Sequence, residues 1–386
     1  MSTAEIIARC EELYEDTTFA ASRAWKEAAP GRKVVGFMPV YIPEEIIHAA
    51  GMLPLGILGG GDGLEVIHGD AFYQSYICRI PRSTIELGLT GRLDFVDGML
   101  FPSICDVIRN LSGMWKLMKP NVYAKYFDVP QNYRDDIGGE YYQREMQELR
   151  HDMEKLSGNK ITDEALSNSI AIYNQHRQLV RDVYAMRSDE PWKVPSSEVY
   201  LLMRAGQVLP VEEHIVMLTD YMAAAQEEDR PIRDNCRIIT CGAFCEQPPL
   251  NLIKSIEMAG CYVVDDDYML VNRWLMEEVP TEGDPIKNLA DAFLHHSADS
   301  SAKYCDTQEK VGQYLLDSVR KNKAEGVIFA APSFCDPALL ERPLLAAKMS
   351  ENDVPHISFK YAENSGQMQP IREQAGTFAD SLKLWS

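Results

Sequence analysis

The 386-residue sequence contains no run of about 18 consecutive apolar residues, so no membrane-spanning helix is expected from it. It has neither the GxGxxG spacing nor the GxxxxGK[ST] lysine, and no ATP site is expected in this chain. The glycine run GGGDG at 59–63 fails both patterns and reads as a loop near a site. No two of its cysteines have the CxxC spacing of a zinc ribbon. Basic residues are scarce, 38 Lys and Arg against 58 Asp and Glu, for a formal charge of −20. That balance opposes a nucleic-acid binder working through phosphate neutralisation. It also opposes long-range attraction of anions, so a phosphorylated ligand would need a local basic pocket or a partner subunit to receive it. The first residues, MSTAEIIARCEELYED, have the pattern of an acidic amphipathic helix rather than a signal peptide, and the expected location is the cytoplasm.

What is present is enough apolar residue, 46%, to bury cores in two or three domains. There are nine cysteines, an odd number, which fits metal or redox chemistry plus a few buried thiols better than a disulfide framework. Two of them lie in a repeated pattern. The apolar run FVDGMLF at 95–101 ends in Pro102-Ser103-Ile104-Cys105-Asp106 before the helical text VIRNLSGMWKLM. Far downstream, GVIFAA at 326–331 ends in Pro332-Ser333-Phe334-Cys335-Asp336 before ALLERPLLAAKM. Pro-Ser-apolar-Cys-Asp thus occurs twice, each time where a buried strand hands over to a helix. In open α/β sheets ligands bind at that edge. A thiol there faces a cleft, and the positive end of the following helix favours its thiolate, the form that ligates metal.

In chain order, 4–28 reads as one or two helices, 34–38 as a strand, 43–51 as a helix entered at Pro43 and ended at Gly51, and 53–58 as a strand. Helical text surrounds Cys78, and a strand is expected over 122–128. Residues 138–230 read as charged helices with solvated charge runs, Thr162 or Asp163 capping one of them. The second half repeats the first: strand 236–241, loop, helix ending at Gly260, strand 261–264, intervening helices, strand 326–331, and a last strand over 356–360. The expected fold is α/β, two similar doubly wound parallel-sheet (flavodoxin-like) domains with a helical N-terminal and connecting region. The expected divisions are an N-terminal helical segment (1–33), a first α/β domain (34–137), a helical connection (138–230) and a second α/β domain (231–386). Each domain delivers a cysteine at the same strand end, so a cluster held in the cleft between them is the expected arrangement.

YIPEEIIHAAGMLPLGI, FPSICDVIRN, YFDVPQ, SIAIYNQHRQLVRDVY and GQMQPIREQAGTF resemble signatures of the 2-hydroxyacyl-CoA dehydratase and benzoyl-CoA reductase family, nearly end to end. The segments around Cys78, Cys245 and Cys335 are similar to those of the gamma subunit of its ATP-dependent (class I) benzoyl-CoA reductases. Met38-Pro39-Val40 departs from relatives that carry a small polar residue or a cysteine in that loop.

The resemblance implies one of two homologous cluster-bearing subunits, served by separate ATP-hydrolysing electron-activating subunits and by ferredoxin. It implies reduction of benzoyl-CoA, or a related CoA thioester, to cyclohexa-1,5-diene-1-carbonyl-CoA in anaerobic aromatic degradation. Aromatic stabilisation makes the first electron very unfavourable, and iron–sulfur potentials reach down only to roughly −700 mV, which accounts for the need for ATP. The alternatives are a 2-hydroxyacyl-CoA dehydratase subunit acting through a ketyl radical, and a non-catalytic electron-relay subunit. Cys78, Cys105 and Cys335 match the family's cluster cysteines, for a 4Fe–4S or a double-cubane cluster, with Cys245 as a possible additional ligand. His68 and Arg82 are candidates for catalytic roles. Cys10, Cys236, Cys261 and Cys305 read as structural thiols.

Overall fold

The structure, a computed structural model, describes residues 1–59, 63–74, 76–242, 248–298, 310–362 and 368–385. Two helices come first, Thr3–Glu15 (α1) and Ala20–Glu27 (α2). The first is closed at its start by a capping box in which Ser2 and Glu5 satisfy each other's amides. The first α/β unit follows as Val34–Phe37 (β1), Glu44–Ala49 (α3), Leu53–Gly56 (β2), Arg79–Leu89 (α4), Gly98–Pro102 (β3), Asp106–Met118 (α5) and Tyr123–Phe127 (β4). Its sheet is wholly parallel, in the order β2-β1-β3-β4.

The middle of the chain is helical: Glu140–Ser157 (α6), Asp163–Asp189 (α7), Ser196–Ala205 (α8) and Val211–Glu227 (α9), with a π-helical turn at Asp135–Gly139 leading in. Thr162, rather than Asp163, caps α7 by accepting from the Ala165 amide at 3.1 Å. The second unit then runs Cys236–Cys241 (β5), Leu250–Met258 (α10), Cys261–Asp266 (β6), Leu270–Arg273 (α11), Pro285–His296 (α12), Gln313–Lys321 (α13), Gly326–Pro332 (β7), Asp336–Glu351 (α14), His356–Tyr361 (β8) and Met368–Trp385 (α15). Its order, β6-β5-β7-β8, is that of the first sheet, again all parallel. In both halves the first helix after the first strand stops at a left-handed glycine, Gly51 (φ +76°) or Gly260 (φ +88°), where a side chain would be strained.

The inner parallel strands are covered on both faces, and their successive residues alternate between two cores. In the first sheet Val35, Phe37 and Leu100 join the large core shared with the helical region, while Val34, Met99 and Phe101 pack with Ile85, Leu111 and Trp115 of α4 and α5. In the second, Ile238 and Ile328 face α10 and α15, while Ile239, Val327 and Phe329 face α13 and α14. An aromatic cluster ties the halves together. The Tyr41 ring lies 6.3 Å from Trp274 and 5.1 Å from Phe293, and Tyr142 lies 4.6 Å from Phe293.

The expectation that charges in 138–230 form a solvated face needs correction. Arg177 and Arg187 of α7 are buried, because the helix lies between α3 and β6 and its inward positions must pair with acids there. Arg177 donates to Glu45 at 2.6 Å, and Arg187 donates to Asp266. Polarity at these positions therefore marks a packing face, not a solvent face.

A buried imidazole pair also joins α7 to α9. His176 Nε2 lies 2.7 Å from His214 Nδ1, and His214 Nε2 lies 2.9 Å from the Leu202 carbonyl. Both nitrogens of His214 are then used by a neutral ring that donates to Leu202 and accepts from His176. Burial lowers both pKa values, that of His214 to about 4. Between that value and the ordinary 6.5 the unfolded chain binds more protons than the folded one. The stability is present above pH 6.5 and is lost as pH falls toward 4, by roughly 3 kcal/mol for His214. Across that window the urea midpoint of the wild type should fall relative to that of His214→Gln as pH is lowered, the contributions of other groups being common to both proteins. Glu44, raised to about 8 by burial and Glu45, and Asp267, raised to about 7 by burial, act in the opposite sense as pH rises.

Candidate functional site

In each sheet the chain leaves the first strand toward one side and returns on the other. The carboxyl ends of β1 and β3, and of β5 and β7, are therefore topological switch points, where open α/β sheets bind ligands. The two Pro-Ser-apolar-Cys-Asp loops lie there. They are built alike: the Ser103 amide donates to Phe127 O at 3.0 Å and the Ser333 amide to Tyr361 O at 2.7 Å, each extending the ladder to the neighbouring strand by one bond. Each cysteine then becomes a helix N-cap, its carbonyl accepting the first helical bond, from Arg109 at 3.2 Å for Cys105 and from Leu339 at 3.0 Å for Cys335.

The sequence places Cys78 within helical text, but it too precedes its helix, as the N-cap of α4. Pro81 in the first turn of that helix is the sequence signal that places the start, since proline is tolerated only there. Three thiols thus stand at three helix N-termini, where backbone amides and the helix dipole favour negative charge. Burial holds the Cys105 thiol above its ordinary value; the amides of Ile108 and Val107 oppose that, and a charged Cys335 adds to it. That last effect places the two repeated loops, 230 residues apart in sequence, within electrostatic reach of each other.

Tyr73 connects the third thiol. Burial raises its phenol well above the ordinary value, and Cys78 and Cys105 both push it the same way. Its hydroxyl is buried and has no hydrogen-bond partner among the described residues. Nothing in the sequence singles it out, because one tyrosine five residues before a cysteine carries no pattern. Beside Cys335, Phe334 has a left-handed backbone (φ +69°) and is 50% exposed. Such a conformation is costly for a bulky side chain and is maintained at functional loops more often than elsewhere.

The other candidates are placed as follows. The His68 ring bonds Glu86 at 2.9 Å and is largely exposed; burial alone would raise Glu86, but bonds from His68 and from the amides of 67–69 hold it below the usual carboxylate range. Arg82 pairs with Asp70 at 2.8 Å and reaches the Cys78 carbonyl at 3.5 Å. Cys245, Cys305 and most of the 59–63 glycine run lie outside the described residues. Cys10, Cys236 and Cys261 are buried, as structural thiols should be. Cys241 at the end of β5 is buried too, its sulfur 3.4 Å from Asp267, and burial drives its pKa well up.

Among the described residues, no three Cys, His, Asp or Glu side chains already stand as a group that could hold a metal ion. The chemistry of the donors nonetheless suits an iron–sulfur cluster: three soft sulfurs, each at a helix N-terminus, and a buried Tyr73 hydroxyl within electrostatic reach of two of them that has no partner among the described residues. Among the described residues no helix is long and apolar enough to cross a membrane.

Duplicated parallel sheets with cysteines at the switch points define a class, and comparison with known proteins identifies it. The family described as "2-hydroxyglutaryl-CoA dehydratase, D-component" matches residues 39–382, and the chain belongs to that family. It is 74% identical over 386 residues, the whole of both chains, to a benzoyl-CoA reductase subunit of Thauera aromatica. It is 28% identical over 352 residues to the (R)-phenyllactyl-CoA dehydratase beta subunit of Clostridium sporogenes, covering 91% of this chain and 92% of that one. It is also 25% identical over 383 residues to the beta subunit of (R)-2-hydroxyglutaryl-CoA dehydratase of Acidaminococcus fermentans, covering 98% and 100%.

Proposed function

We propose that this chain is an iron–sulfur subunit of an ATP-dependent, ferredoxin-linked benzoyl-CoA reductase, which converts benzoyl-CoA to cyclohexa-1,5-diene-1-carbonyl-CoA. The observation that carries the reading is the 74% identity, over the whole of both chains, to a benzoyl-CoA reductase subunit. At that identity the two Pro-Ser-apolar-Cys-Asp loops and the Cys78 turn are read as a shared site rather than a shared fold alone.

In this reading Cys78, Cys105 and Cys335 hold a 4Fe–4S cluster, with Cys245 a possible further ligand and a double-cubane cluster the variant form. The cluster supplies single electrons at very low potential. The chain's own residues do the rest. The helix amides at Val107 and Ile108 offset part of the burial that otherwise disfavours the Cys105 thiolate, and Tyr73 stays protonated within electrostatic reach of Cys78 and Cys105. Ionised together, these thiolates repel one another, and a cationic iron core removes that cost. The partners are a homologous cluster-bearing subunit, an ATP-hydrolysing pair and ferredoxin.

The family name and the relatives at 25–28% identity favour a second reading, a 2-hydroxyacyl-CoA dehydratase subunit. Electron stoichiometry in the purified complex separates the two. A reductase should consume two electrons for every benzoyl-CoA reduced, whereas a dehydratase should turn over many 2-hydroxyacyl-CoA molecules per electron supplied. Turnover of a 2-hydroxyacyl-CoA with catalytic reductant, and none of benzoyl-CoA, would replace the first reading with the second.

A further inference from the structure

A small cavity lies behind the loop that follows β1, bounded by α3 and α7, by residues 206–211 and by 271–275, and its volume is about 40 Å³. Five of the side chains lining it carry a buried polar atom with no hydrogen-bond partner among the described residues: Tyr41 Oη, Arg177 Nε, Gln207 Oε1, Asn272 Oδ1 and Trp274 Nε1. Each of these side chains belongs to a residue at most 9% exposed. Buried polar groups in folded proteins are almost always paired, so five around one space require a common explanation.

The types of atom point to the occupant. Arg177 Nε and Trp274 Nε1 can only donate, Gln207 Oε1 and Asn272 Oδ1 accept, and the Tyr41 hydroxyl does either. A bare cation would want acceptors alone and an anion donors alone. Water donates twice and accepts twice, and meets both kinds. A water needs roughly 10–15 Å³ of such space and two to four polar partners, so about three waters fit.

Neighbouring residues are shaped to keep the space. A Cβ on Gly56 would lie 2.4 Å from Gln207 Oε1, so glycine in β2 is what admits the Gln207 amide. Arg177 is held in place by bonds from its two terminal nitrogens to Glu45 at 2.6 Å and to Asn174 at 2.7 Å, which leaves its Nε as the nitrogen without a partner among the described residues.

We propose that this cavity is a built hydration site, in which about three ordered waters join Tyr41 and Gln207 of the first half and its helical flank to Asn272 and Trp274 of the second. It fixes the switch-point loop of the first sheet against the second unit by hydrogen bonds, beside the aromatic stack that does so by packing. It stands independently of the reductase reading.

Tyr41→Phe tests it through the sign of its effect, since the ring and its stacking are retained. If waters bind there, losing the hydroxyl removes one of their partners, and the thermal midpoint of the full-length protein should fall by about 2 °C. If the cavity is dry, the change removes a buried unpaired hydroxyl and the midpoint should hold or rise, which overturns the proposal. A crystal structure of the wild-type protein gives a second, separate reading. Ordered density bonded to Gln207 Oε1 and Asn272 Oδ1 is the expected result, and a cavity free of density overturns the proposal whatever the variant does.

Discussion

Cys105→Ala and Cys335→Ala should each lose one cluster's worth of iron and acid-labile sulfide from anaerobically purified protein, and with it at least about a hundredfold of the reductase activity. The expectation follows from the equivalence of the two loops. Both cysteines cap a helix after the third strand of their sheet, both loops bond the neighbouring strand through serine, and the thiols lie within electrostatic reach of one another. If they serve one centre, either substitution removes the same iron. Cys78→Ala should match them, since Tyr73 senses its charge together with that of Cys105. Cys10→Ala is the control: that thiol is buried in α1, 3.5 Å from the Met217 sulfur, and its loss should leave iron unchanged. Mössbauer spectra of the wild type would give the cluster type. Iron unchanged in both loop variants would mean that the repeat records only a duplicated fold, and the reductase reading would then stand on similarity alone.

Much of this is legible in the sequence because the signals are local and repeated. Each of the eight strands of the two sheets overlaps a run expected from the sequence; the inner strands, such as β3 and β7, are legible because a strand buried on both faces has to be continuously apolar, whereas the edge strands β4 and β8 carry Lys125 and Lys360. Apolar pattern alone starts β3 too early: Phe95 belongs to a turn, and Asp97, whose carboxylate accepts from the Val34 amide at 2.9 Å, separates it from the strand. At the site, Cys105 and Cys335 are visible because the same five residues recur at equivalent strand ends. What is hidden depends on contacts between distant segments. Tyr73 acquires meaning only when the starts of α4 and α5 come together, and the His176–His214 pair and the polar atoms around Tyr41 only when α3, α7, α9 and the 271–275 segment meet. Helix charge misleads for the same reason, since Arg177 and Arg187 pair with acids 132 and 79 residues away.

Arg187→Met should be the most destabilising of these substitutions, by about 3–5 kcal/mol, because it leaves the buried Asp266 carboxylate without its cation. Arg187 is fully buried in α7, donates to Asp266 at the end of β6, and stands 3.7 Å from Asp265. Its guanidinium lies 4.3 Å from the centre of the Tyr184 ring, with Arg273 at 3.9 Å from the same ring. Burial opposes its charge, but Asp266, Tyr184 and Asp265 together hold its pKa above the ordinary value. Asp265 keeps two other partners, Arg273 at 2.9 Å and the Ser318 hydroxyl at 2.5 Å, so most of the cost falls on Asp266. The double variant Arg187→Met with Asp266→Asn should therefore recover a substantial part of the loss, since the buried charge is removed with its partner. Urea unfolding of the wild type, both single variants and the double variant measures the coupling directly. Strict additivity would mean that the pair contributes nothing specific and that α7 is held to the second sheet by packing alone.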